Sequence, residues 1–171
     1  MSIEPLTSVD EAVVPGQLQR PPRGVLGVAF RCPAGHPGVV ATSPRLPDGT
    51  PFPTTFYLTC PVAVSACSTL EASGLMTELT ERLATEPELA ASYLEAHRHY
   101  LTARDDLAAL TAPTGPVPEI SGVSAGGMPT RVKCLHALLG HSLAAGPGVN
   151  PIGDVALTLI TERWPFPCPA E

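Results

Sequence analysis

The cysteines and histidines are the residues best able to do chemistry in this chain. Cysteines stand at 32, 60, 67, 134 and 168, and histidines at 36, 97, 99, 136 and 141. Thiolate and imidazole together are the ligands of tetrahedral zinc. Cys32, Cys60 and Cys134 with one histidine would make a Cys3His site. The run Lys133-Cys134-Leu135-His136, followed by His141, supplies the third thiol and the imidazole. On a helix, Cys134 and His141 share a face but stand about 10.5 Å apart along the axis. Cys134 and His136 are close in sequence but point about 200° apart around an ideal helix. The metal set is therefore Cys32, Cys60 and Cys134, with the imidazole left open between His136 and His141. Zinc is the first expectation, and three thiolates with an imidazole also suit iron.

Two further chemistries draw on the same residues. A thiol enzyme would use Cys134 as nucleophile, with His136 or His141 as base. Its catalytic candidates are thus Cys134 and His141. A thiol in the first turn of a helix, beside Lys133, is placed to favour thiolate. The lead-in Ser124-Ala125-Gly126-Gly127 offers amides to an anion at a helix start. Arg31, Arg45, Arg131 and Lys133 are the cations that could join it, and a small anionic or phosphorylated ligand is the partner such a set would take. Free cysteine also packs as a small hydrophobe, and Cys67, among Ala and Leu, is read that way. His97 shares a helical face with Tyr93 and Tyr100 and is read as a core histidine. The chain has no Walker A run, no GxSxG and no HExxH.

These residues need elements to position them. Runs rich in Val, Phe and Tyr over 24–31, 38–42 and 54–59 predict three strands. In an up-down-up meander the first and third strands run the same way. Cys32 and Cys60 then end at one edge of the sheet, roughly 5–10 Å apart. After Cys60 the apolar period changes from 2 to 3.6. Helices are expected over 61–73, with Cys60 at its N-cap, and over 75–84, 87–110 and 131–145, the last capped by Thr130. A final helix starts at Asn150-Pro151 and ends near 162. Residues 1–19 lack periodicity and read as a loose N-terminal arm. The rest, 20–171, reads as a single α+β domain with a small three-stranded antiparallel sheet and about five helices.

Composition closes off several classes. The chain has 171 residues, 15 Gly and 21 Pro, yet 44% are hydrophobic, so a core is within reach. Net charge is −6 and Lys133 is the one lysine, a poor basis for nucleic-acid binding. No apolar run approaches 18 residues, so no membrane insertion is expected. The start, MSIEPLTSVDEAVV, is not a secretory signal. An odd cysteine count without an export signal points to thiols in a reducing, cytoplasmic setting.

Several blocks carry a family resemblance: RCPAGHP (31–37), SPRLPDGTPFPTTFYLTCP (43–61), LEASGLMTELTERL (70–83) and SAGGMPTRVKCLHALLGHSLAAGPGVNPIGD (124–154), with Trp164 and Cys168. Over roughly residues 15–168 the chain resembles the bacterial, mainly actinobacterial, domain of unknown function 501 family. The resemblance implies a cytosolic protein whose gene lies near those for a septum-formation initiator protein and an exopolyphosphatase. It implies cysteines at 32, 60 and 134 and histidines at 136 and 141 as shared positions, and it demotes His36. It transfers no reaction. The resulting expectation is a cytosolic metal-binding protein acting through its Cys/His set. The rival expectations are a non-catalytic adaptor in cell division or envelope control, with a protein partner on the long helix, and the thiol enzyme.

Overall fold

The computed structural model describes residues 2–111 and 117–161, with Thr111 described in its backbone alone. Helix α1 (Ser8–Leu18) precedes three strands, β1 (Val25–Arg31), β2 (Pro37–Thr42) and β3 (Phe56–Leu58). Helices α2 (Pro61–Ala72), α3 (Leu75–Thr85) and α4 (Pro87–Thr111) follow. A 3-10 turn at Pro118–Ile120 then leads to α5 (Leu135–Ala145) and α6 (Pro151–Ile160). The strands form one antiparallel sheet in the order β1-β2-β3. An α+β chain with a three-stranded meander is thus what the sequence led us to expect, with six helices among the described residues where about five were expected. No helix among the described residues is long and apolar enough to cross a membrane.

Two local expectations are corrected. Residues 8–18 are a helix, not part of a loose arm. Thr7 caps it, accepting from the Asp10 backbone N–H while the Asp10 carboxylate accepts from Thr7 N. That reciprocal pair satisfies donors a helix start leaves orphaned. The Asp10 side chain also grips Arg31 at 2.8 and 2.9 Å. Helix α1 is anchored mostly by polar contacts, so its apolar periodicity is weak. The second correction is the start of α5. Thr130 is not its cap; Cys134, extended at φ −156° and ψ 107°, is the N-cap residue.

Helix α5 lies against β3, α2 and α6 and carries the site. Its neighbours approach very closely at two glycines. A Cβ at Gly153 of α6 would fall 2.3 Å from the Leu138 carbonyl oxygen. One at Gly140 would fall 2.9 Å from the Phe56 carbonyl oxygen. The core around this helix includes Phe56, Tyr93, Tyr100, Leu135, Leu138 and Ile152, all fully buried. Each such side chain contributes roughly 1.5–3 kcal/mol of transfer free energy. Asn150 caps α6 by accepting from the Gly153 N–H at 2.9 Å, with Pro151 in the first helical position.

Candidate functional site

Among the described residues, one group of three potential ligands converges. Glu71, Cys134 and His136 each place a donor atom within 4.8 Å of the other two. Glu71 comes from the last turn of α2; Cys134 and His136 come from the start of α5. Glu71 Oε1 accepts from the Leu135 N–H at 2.6 Å and lies 3.0 Å from His136 Nδ1. It therefore serves as the cap that Cys134, with no side-chain cap bond, does not supply. His136 Nε2 lies 3.1 Å from the Val64 carbonyl oxygen. A carbonyl only accepts, so Nε2 carries the proton and donates.

This arrangement fixes the electrostatics. A hydrogen bond to Cys134, joined by the bond and charge of Glu71, raises the His136 pKa to about 9 against the opposing effect of burial. Both ring nitrogens face groups that favour N–H, so the ion-free imidazole is held as its cation. The Cys67 thiol, one turn before Glu71 on α2, is pushed up to about 12 by burial, by Glu71 and by Cys134. It stays a thiol and packs in the core.

Cys134 and His136 also line a pocket of about 390 Å³, within the size range of small-molecule sites. Its apolar wall includes Leu18, Phe56, Leu58 and Val64; its polar wall includes Gln17, Arg20 and Tyr57.

The expected site residues divide. Cys134 and His136 come together, in a pocket wall. Cys32 and Cys60 do meet the same end of β2: the Cys60 N–H donates to Gly38 O, and Cys32 N lies 3.3 Å from where a Gly38 Cβ would sit. Both are buried in the hydrophobic core, outside the Glu71–Cys134–His136 group. His141 is fully buried, stacked on Phe56 and edge-on to Tyr100. Its Nδ1 accepts from Asn150 Nδ2 at 3.1 Å, and its Nε2 lies 2.9 Å from His99 Nδ1. Burial, with the charge of His99 as a lesser cause, lowers its pKa to about 3. His141 is a neutral core residue and does not line the pocket.

The expected cations also lie elsewhere. Arg31 is bound by Asp10 and Glu4, and Arg45 by Glu119 and the Gly49 carbonyl. Arg131 and Lys133 are exposed, and none of the four lines this pocket. Gly126 and Gly127 adopt positive φ and pack against Leu138 and the Arg131 carbonyl, which explains glycine there by close approach. His97 bonds Ser124 at 2.8 Å. Trp164 and Cys168 lie outside the described residues.

Sequence reasoning missed Glu71 and Arg20. Glu71 carried one signal, a carboxylate near the C-terminal end of a helix, where the dipole disfavours it. Its compensation comes from the start of α5.

The comparison with known families now has geometry to stand on. The family model described as "Protein of unknown function (DUF501)" matches residues 28–158. The chain belongs to the DUF501 family. Neither the curated proteins nor the solved structures searched give a match. The matched segment includes Glu71, Cys134 and His136; Gln17, Leu18 and Arg20 precede it.

Proposed function

We propose that this DUF501 protein binds a divalent metal ion through Glu71, Cys134 and His136. The donor set of one thiolate, one imidazole and one carboxylate suits zinc. The observation that carries the reading is the convergence of three ligand atoms within 4.8 Å, beside an imidazole whose Nε2–H is held by the Val64 carbonyl. Metal-bound histidines commonly donate their other N–H to such a partner, which leaves Nδ1 facing Glu71 and the ion. Three protein ligands leave a fourth position for water or a ligand, and the adjoining pocket gives that position access to solvent. An ion so held can polarise a bound oxygen or activate water.

The test is elemental analysis of protein purified without chelator or affinity metal, beside Glu71→Gln and Cys134→Ser. About one zinc per chain is expected, lost in both variants and kept in Cys60→Ala. Folded protein that holds no metal, even after reconstitution with zinc, overturns the reading.

A second reading, a thiol enzyme, draws on the strong coupling between Cys134 and His136. Metal-free protein would then be alkylated at Cys134 well ahead of Cys32, Cys60 and Cys67. The commitment of Nε2 to Val64 favours the metal, because a thiol–base–carboxylate relay divides the two ring nitrogens between sulfur and carboxylate. The adaptor reading would rest on an apolar stripe along α4. The exposed large apolar residues described on that helix are Leu94 and Leu110, about 24 Å apart along its axis.

A further inference from the structure

We infer that the pocket beside Cys134 and His136 binds a small organic anion, with Arg20 and Tyr57 as the grip for its oxyanion. The inference deepens the metal reading, on which its second point of attachment rests.

Arg20 differs from the other arginines that serve structure. Arg23, Arg31, Arg45, Arg82 and Arg98 each hold a carboxylate. Arg104 donates to the carbonyls of Val123 and Ile120. Arg20 has no carboxylate partner among the described residues. Its guanidinium lies over the Tyr57 ring, 5.7 Å from the centroid, and donates to the Tyr57 hydroxyl at 2.7 Å. The ring and its hydroxyl hold the charge in place and leave the other guanidinium N–H groups uncommitted among the described residues.

The hydroxyl adds a second donor. Tyr57 Oη already accepts from Arg20, so its own proton is available to donate. That proton has no acceptor among the described residues. A guanidinium beside a polarised O–H is a donor pair suited to carboxylate or phosphate oxygens. Both residues line the same pocket as Cys134 and His136.

A third group gives the ligand more shape. Gln17 lines the pocket and donates through Nε2 to the Pro37 carbonyl at 2.9 Å, which fixes its amide orientation. Its Oε1 is buried with no hydrogen-bond partner among the described residues. Between these polar points the wall is apolar: Leu18, Phe56, Leu58 and Val64. The ligand class is therefore a small, partly apolar molecule with a carboxylate or phosphate at one end. An oxygen for the ion completes it.

The experiment titrates zinc-loaded protein with phenyl phosphate, mandelate and, as an uncharged control, benzyl alcohol, by calorimetry in a phosphate-free buffer. Saturable binding of at least one anion and none of the alcohol is expected; which anion binds decides between phosphate and carboxylate. Arg20→Gln should weaken that binding at least tenfold and Tyr57→Phe about threefold, both with one zinc per chain retained. Zinc-loaded protein that binds neither anion, or binds it equally well in Arg20→Gln, overturns the inference and leaves the metal reading intact. Protein that takes no zinc yet binds the anion through Arg20 overturns the metal reading and keeps the anion grip.

Discussion

Histidines 136 and 141 sit five residues apart on one helix and lead opposite chemical lives. His136, with its side chain 26% exposed, stands at the start of α5 beside a pocket. Its ring faces a carboxylate and a backbone carbonyl, and its pKa rises to about 9. His141 is sealed between Phe56 and Tyr100, faces the Asn150 amide donor, and falls to about 3. Five residues turn a helix by about 140°, which sends one ring toward α2 and the other toward α4. The difference teaches that a histidine's role lies in the hydrogen-bonding sense of its neighbours. Acceptors around His136 prepare it for a proton or a metal. Around His141 a donor at Nδ1 and a dry wall keep the ring neutral, with its one proton on Nε2 toward His99.

The largest effect that would break this contrast is on metal binding. Replacing His136 with Gln should weaken zinc binding at least ~100-fold, while His141→Gln leaves one zinc per chain; competition with a chromophoric chelator reads both. Second is stability. His141→Ala removes a packed ring and the nitrogen acceptor of the Asn150 amide N–H, a loss of about 3 kcal/mol. Thermal melting should fall by roughly 6–12 °C in a chain of this size, and by much less for His136→Ala.

The pH profiles of metal-free protein sharpen the comparison further. His136 is raised when folded, so its stabilisation is fully present below about 6.5 and fades as pH climbs through about 9. At most about 3 kcal/mol is involved. Zinc must displace that proton, so zinc affinity should climb over the same window. His141 has the opposite sign. Its depressed pKa means the unfolded chain takes up the proton first, and stability falls as pH drops from about 6.5 toward 3. Histidine ring titration by NMR should show one imidazole titrating near 9 and one still neutral at pH 5. The smallest effect is His99→Gln, which perturbs the partner of His141 Nε2 and should cost about 1 kcal/mol.

The strands and most helices were legible because their signals are local. Short Val-containing runs bounded by turn residues mark β1 and β2, and Pro61, Pro87 and Pro151 mark helix starts. The pairing of Cys134 with His136 was legible as a short run near a helix start. Helix α1 was not, because Thr7, Asp10 and Arg31 hold it through polar bonds that leave little apolar period. Neither was Glu71, which reaches His136 across 65 positions of chain. The meeting of Cys32 and Cys60 at Gly38 followed from strand order, but their burial in the core depends on what α2 and α5 lay over them. Arg20 stands just after the segment read as loose, at the start of the expected domain, and its importance depends on Tyr57 lying under it.

The two glycine contacts of α5 bear on how selective the centre can be. With Leu138 O against Gly153 and Phe56 O against Gly140, the backbone of α5 packs directly on the backbones of α6 and β3. Cys134 and His136 are thus mounted on a closely packed helix, and in the proposed metal site Glu71 would be the one ligand reaching in from another helix. Under the metal reading such a mount would favour a small ion content with few ligands over calcium, which calls for 6–8 oxygens at 2.3–2.6 Å.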